Sequence, residues 1–106
     1  MVRKPRNRDL IALEEKADEA SSLLAAMANP KRLLVLCNML DGERSVGELA
    51  EIAGLSSAAL SQHLGKMRAL SLVKTRREGQ TIYYSLASHE VRAVLETLYR
   101  LFCAPV

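Results

Sequence analysis

This sequence is short of aromatic side chains. There is no Trp, one Phe and three Tyr, and the aromatic share of 4% is too small for a stacking platform under single-stranded nucleic acid or a carbohydrate face. Gly and Pro are also scarce, at five and three, which argues against a loop-rich β-sandwich. No apolar run reaches the 18 residues that a membrane span needs. The first residues are charged, and Asp9 to Glu19 is too acidic for the apolar stretch of a secretory signal, so the chain reads as cytoplasmic. The two cysteines, Cys37 and Cys103, have neither zinc-ligand spacing nor the density of a disulfide scaffold. No Gly-rich phosphate loop, nucleophile–base pair, metal cluster or cofactor motif is visible. The expectation is a protein with no cofactor and no bound metal, and not an enzyme.

What is present is a single domain's worth of ordinary globular sequence. The chain has 106 residues, 49% hydrophobic and 25% charged, which makes disorder a poor main state. Its formal charge of +3 permits a nucleic-acid partner without demanding one. Arg3, Lys4, Arg6 and Arg8 around Pro5 lack apolar periodicity, and residues 1–9 read as a flexible basic arm. Leu10, Leu13, Ala17, Ala20, Leu24 and Met27 then recur at steps of three and four, the stripe of a first helix. Asn29 and Pro30 suit the cap and first turn of a second helix running to about Leu40, with Leu33, Leu36, Cys37 and Leu40 inward.

Ser45 stands three residues before Glu48, the spacing of a capping box, and opens a short third helix that Gly54 ends. Ser56 caps a fourth, with Leu60, Leu64 and Met67 as its inner stripe. Two short helices joined by a glycine-containing turn describe a helix-turn-helix. Residues 72–76 and 81–86, on either side of a Glu78-Gly79-Gln80 turn, are rich in strand formers and read as a hairpin. Ser88 caps a last helix with Val91, Val94, Leu95, Leu98, Leu101 and Phe102 on one face. The fold class is therefore mainly α with a β-hairpin wing, a winged helix-turn-helix of order α-α-α-α-β-β-α spanning residues 10–103, followed by a short tail at 104–106. A small core with two very apolar end helices invites a homodimer through the first and last helices.

The fourth helix carries the candidate chemistry. With Leu60, Leu64 and Met67 inward, Ser57, Ala58, Ser61, Gln62, Gly65, Lys66 and Arg68 fall on or beside the outer face. An α-helix fits the major groove, where Gln62 can pair bidentately with adenine and Ser56, Ser57 and Ser61 can reach a base or a phosphate. Lys66 and Arg68 suit phosphates, and the small Ala58 and Gly65 permit close approach. At the hairpin tip Arg76, Arg77, Gln80 and Thr81 suit a wing that grips the backbone or enters the minor groove of double-stranded DNA. An ordinary helical corner and a solvated charged hairpin remain the plain structural alternatives.

Ala28-Asn29-Pro30-Lys31-Arg32, Ser45-Val46-Gly47-Glu48-Leu49, Leu60-Ser61-Gln62-His63-Leu64 and the segment from Leu72 through Arg76-Arg77-Glu78-Gly79-Gln80-Thr81-Ile82-Tyr83-Tyr84 resemble the ArsR family of dimeric winged-helix repressors. The resemblance runs from about Leu10 to the end. It implies operator binding that an inducer releases, and it adds His63 to the recognition helix as a packing or phosphate residue. The family's Cys-x-Cys metal pair has no counterpart at Ser45 to Leu49, and of its other metal set only His89 and Glu90 at the start of the last helix are matched. Cys37 and Cys103 instead match the placement of a dithiol switch in the family's sulfur- and redox-sensing BigR/SqrR/HlyU branch, which implies a reactive sulfur species or other oxidant as inducer. The recognition helix and wing also resemble the family's nodulation repressors, which implies a second reading without thiol sensing. A third is a winged-helix module that binds protein rather than DNA.

Overall fold

A computed structural model describes residues 7–103, Arg8 by its backbone alone. The arm at residues 1–6 and the tail at 104–106 lie outside the described residues. Residues 7–9, read from sequence as part of the arm, belong to the first helix, α1 (Asn7–Met27). Then follow α2 (Pro30–Cys37), β1 (Arg44–Ser45), α3 (Val46–Ala53), α4 (Ser57–Ala69), β2 (Val73–Glu78), β3 (Thr81–Leu86) and α5 (His89–Phe102). This is a winged helix-turn-helix with one strand more than the sequence suggested. β1 is two residues long and pairs antiparallel with β3, Arg44 opposite Tyr84 and Ser45 opposite Tyr83. The sheet order is β1-β3-β2.

Local chemistry explains the boundaries. The Asn29 side chain accepts from the backbone N–H groups of Lys31 and Arg32, which satisfies two orphan donors of α2. α2 stops at Cys37, three residues before the expected Leu40, and turns carry the chain on. In α3 the capping box closes in both directions: Ser45 Oγ accepts from the N–H of Glu48, and Glu48 accepts from the N–H of Ser45. Gly54 ends α3 at φ +66°, a left-handed position that glycine takes without a Cβ penalty. Gly79 at φ +61° opens the two-residue loop of the wing, between the paired Glu78 and Thr81.

Leu36, Met39, Leu49, Leu60, Leu64, Met67, Leu72, Val91 and Leu95 are buried at the centre, where α2 to α5 meet the base of the sheet. The end helices behave differently. The α1 stripe does not face the core: Leu10, Leu13 and Leu24 are exposed, and only the last turns, at Leu23, Ala26 and Met27, pack on the rest of the chain. Leu101 and Phe102, at the end of α5, are 71% and 81% exposed. The radius of gyration of 15.6 Å exceeds the roughly 13 Å of a compact chain this long, as a protruding α1 requires.

Candidate nucleic-acid interface and thiol pair

The turn between α3 and α4 sets the start of α4. Ser56 Oγ accepts from the N–H of Ala59 and starts α4. Burial of Leu60, Leu64 and Met67 leaves Ser57, Ala58, Ser61, Gln62, Gly65, Lys66 and Arg68 exposed together. The outer face expected from the sequence is thus assembled, and Ser56 lies exposed at its start.

His63 is placed otherwise. It is half-buried, and its Nδ1 accepts from Arg32 Nε at 2.9 Å. The ring is turned toward α2 rather than lying open beside Gln62.

The wing separates its two arginines. Arg76 lies across from Tyr83, with its guanidinium 4.7 Å from the ring centre. Its Nη2 donates to Glu43 at 2.6 Å and its Nη1 to Glu78 at 2.8 Å. These bonds hold the Glu43 carboxyl below the usual carboxylate range and keep Arg76 firmly protonated. Arg76 therefore braces the wing, and its charge is already balanced within the chain. Arg77 lies on the opposite face, across from Ile82, exposed and with no ion pair among the described residues. Gln80 and Thr81 are exposed at the tip beside it.

The cysteines stand at the ends of two helices that pack on each other. Cys37 is the last residue of α2, half-buried, and Cys103 follows α5, exposed. Burial pushes the Cys37 thiol up from its ordinary value, and the negative charge of Cys103 adds to the rise.

The family model described as bacterial regulatory protein, arsR family, matches residues 29–75, from the cap of α2 into β2. The transcriptional activator HlyU of Vibrio cholerae is 50% identical over 95 residues, covering 90% of this chain and 88% of that one. The chain belongs to the ArsR family. The nodulation protein NolR of Rhizobium meliloti is 52% identical over 88 residues, covering 83% of this chain and 72% of its own. The structure of reduced HlyU superposes with a TM-score of 0.84 over 88% of this chain and 98% of that one. The repressor BigR of Xylella fastidiosa gives 0.81 at 37% identity, over 89% and 96%.

An ArsR-family chain is a transcriptional regulator with a DNA-binding winged helix, not an enzyme. No helix among the described residues is long and apolar enough to cross a membrane.

The sequence reading missed two contacts by which α2 reaches α3 and α4. Lys31 Nζ donates to the Ala53 carbonyl at 2.5 Å and closes the end of α3, while Arg32 reaches His63. The only signal in the sequence was two cations following a strong helix cap.

Gly65 gives a test with two opposite signs. A Cβ there would meet nothing within 4 Å, so the chain's own packing does not require glycine. Gly65→Ala should raise stability by about 0.5–1 kcal/mol, because glycine is a poor mid-helix residue. It should lower DNA affinity if α4 lies close against the groove. Thermal melting and a binding titration on one sample check both signs.

Proposed function

We propose that the protein is a dimeric ArsR-type repressor that reads operator DNA with α4 and the wing and is released when Cys37 and Cys103 are oxidised. The observation that supports the thiol part is the position of the two cysteines at the ends of the packed helices α2 and α5. One thiol, Cys103, is exposed and the other, Cys37, is half-buried. Such a pair suits an accessible attacker and a protected resolver.

The step balances with a low-molecular-weight persulfide as oxidant. One thiol takes the outer sulfur of glutathione persulfide, giving a protein persulfide and glutathione. The second thiol attacks the inner sulfur, forms the disulfide and releases hydrogen sulfide. If both thiols are first persulfidated, their condensation gives a trisulfide and hydrogen sulfide. Intact mass then falls by two protons, or gains one sulfur with that loss, while DNA binding read on the same sample drops. An unchanged mass with two alkylatable thiols after unfolding would leave the cysteines as packing residues for this inducer. That result would leave the second reading, an ArsR-type regulator of the nodulation-repressor kind without thiol sensing.

In the DNA complex Gln62 reads a base, with Ser56, Ser57 and Ser61 beside it. Lys66, Arg77, Gln80 and Thr81 hold phosphate or the minor groove, whereas Arg76 keeps the wing's shape. Gln62→Ala should cost about tenfold on the preferred site and little on random DNA. Arg77→Ala should weaken both alike and make the log–log salt slope shallower by about 0.9. Titrations on both DNAs at several salt concentrations separate the two. An equal loss on both DNAs from each variant would refute the division of labour.

A further inference from the structure

The strongest unassigned feature is a contact behind the recognition helix. Arg32 sits in the first turn of α2, and its N–H is held by the Asn29 cap at 3.1 Å. Its side chain then divides, Nη1 donating to the Ala26 carbonyl at the end of α1 at 3.2 Å and Nε to His63 Nδ1 at 2.9 Å. One half-buried guanidinium thereby joins three helices.

An imidazole that accepts at Nδ1 is neutral and carries its proton on Nε2. The other contacts of α4 with the core are apolar, through Leu60, Leu64 and Met67. Apolar contacts hold a helix down without fixing its rotation closely, because the hydrophobic effect is non-directional. A hydrogen bond is directional. Turning a helix by about 10° moves a side-chain tip on its far side by about 1 Å, which is enough to spoil a bidentate pair with a base. Gln62 is the immediate neighbour of His63.

We propose that Arg32 and His63 form a positioning link by which α2 fixes the rotation of α4, so that His63 serves specificity from behind the recognition helix without touching DNA. The proposal rests on α4 as the DNA reader. It assigns a role to Arg32, and it moves His63 from the contact surface to its support.

The test uses the reduced full-length chain and two duplexes of equal length. One is selected by the wild type from a random-sequence library, and the other is unselected. His63→Asn places an amide oxygen near the position of Nδ1 and should keep affinity for the selected duplex within about threefold. His63→Gln places its oxygen near Nε2, beyond Arg32, and should lose about tenfold on the selected duplex and less than about twofold on the unselected one. Arg32→Gln should match His63→Gln, and the double variant should be no worse than either single variant, the mark of a shared interaction. Melting temperatures show that each variant is folded.

If His63→Gln retains affinity while His63→Asn loses it, the Nε2 edge meets DNA and the link is refuted. Additive losses in the double variant refute it as well. So does an equal fall on both duplexes with a shallower salt slope, which would make His63 a phosphate contact. Failure of the wild type to enrich any duplex would sink the DNA-reading role of α4 itself, a result distinct from those three.

Discussion

In the proposed dimer a single acidic residue on the α1 stripe, Leu13→Asp, is expected to leave a monomer and to cost DNA affinity by two orders of magnitude or more. α1 is 21 residues long, about 31 Å of helix. Leu10, Ile11, Leu13 and Leu24 are all about half exposed on it. Tyr99, Leu101 and Phe102 expose a second apolar cluster at the end of α5. A monomer seldom leaves so many large apolar side chains of its end helices in water.

In a symmetric dimer every substitution acts twice. Removing a buried leucine forfeits about 1.5–3 kcal/mol, and burying a charge in its place adds to the loss. Doubled, this reaches at least about 3 kcal/mol, or more than a hundredfold in the dimer dissociation constant. Two recognition helices read two half-sites, so a monomer retains contacts to only one. Light scattering should give twice the 11.7 kDa chain mass for the wild type and the single-chain mass for the variant. Leu60→Asp is not an equivalent control, because Leu60 lies in the core, where a charge would destabilise the fold itself. A Leu13→Asp protein that stays dimeric and binds normally would place the interface elsewhere.

The same stripe shows how far the sequence could be read. The steps of three and four in α1 gave the right helix, yet most of the large residues of that stripe are exposed in the single chain. Periodicity says that a surface wants a partner and does not say which chain supplies it. α5 repeats the lesson, with Val91 and Leu95 buried and Leu101 and Phe102 on the outside. Caps were legible because their chemistry is local: Asn29, Ser45, Ser56 and Ser88 each accept a backbone N–H within three residues. β1 was not legible, because a two-residue strand has no periodicity and exists only through its pairing with β3. The roles of the wing arginines were hidden for the same reason. Glu43 lies 33 residues before Arg76, and nothing in the hairpin's own sequence distinguishes the balanced arginine from its neighbour. Arg32 and His63, 31 residues apart, meet only once the helices have packed.

Persulfide treatment of the wild type should weaken DNA binding while raising thermal stability. The opposed signs follow from the same bond. In the chain-entropy model a bridge closing a 66-residue span restricts the unfolded chain by up to about 4 kcal/mol. The native state gains no DNA affinity from that restriction. The bond fixes the exposed end of α5, with Leu101 and Phe102 beside it, to the last turn of α2. Those two residues belong to the proposed subunit contact, so bridging resets the spacing of the two recognition helices. A coupling of about 1–3 kcal/mol would appear as a 5- to 150-fold loss. Cys37→Ser and Cys103→Ser should each keep the reduced affinity before and after treatment, and dithiothreitol should restore the wild type.

The two thiols should also differ in rate. Cys103 is exposed, whereas burial keeps Cys37 protonated above the ordinary thiol range. Alkylation of the reduced protein should therefore reach Cys103 first, and alkylation of Cys37 should accelerate as pH rises, because the thiolate is the nucleophile. Mass spectrometry of partly alkylated protein gives the order directly. A bridge that forms and raises the melting temperature but leaves DNA affinity unchanged would show that the cysteines meet without acting as a switch. In that case the subunit spacing does not depend on where α5 ends.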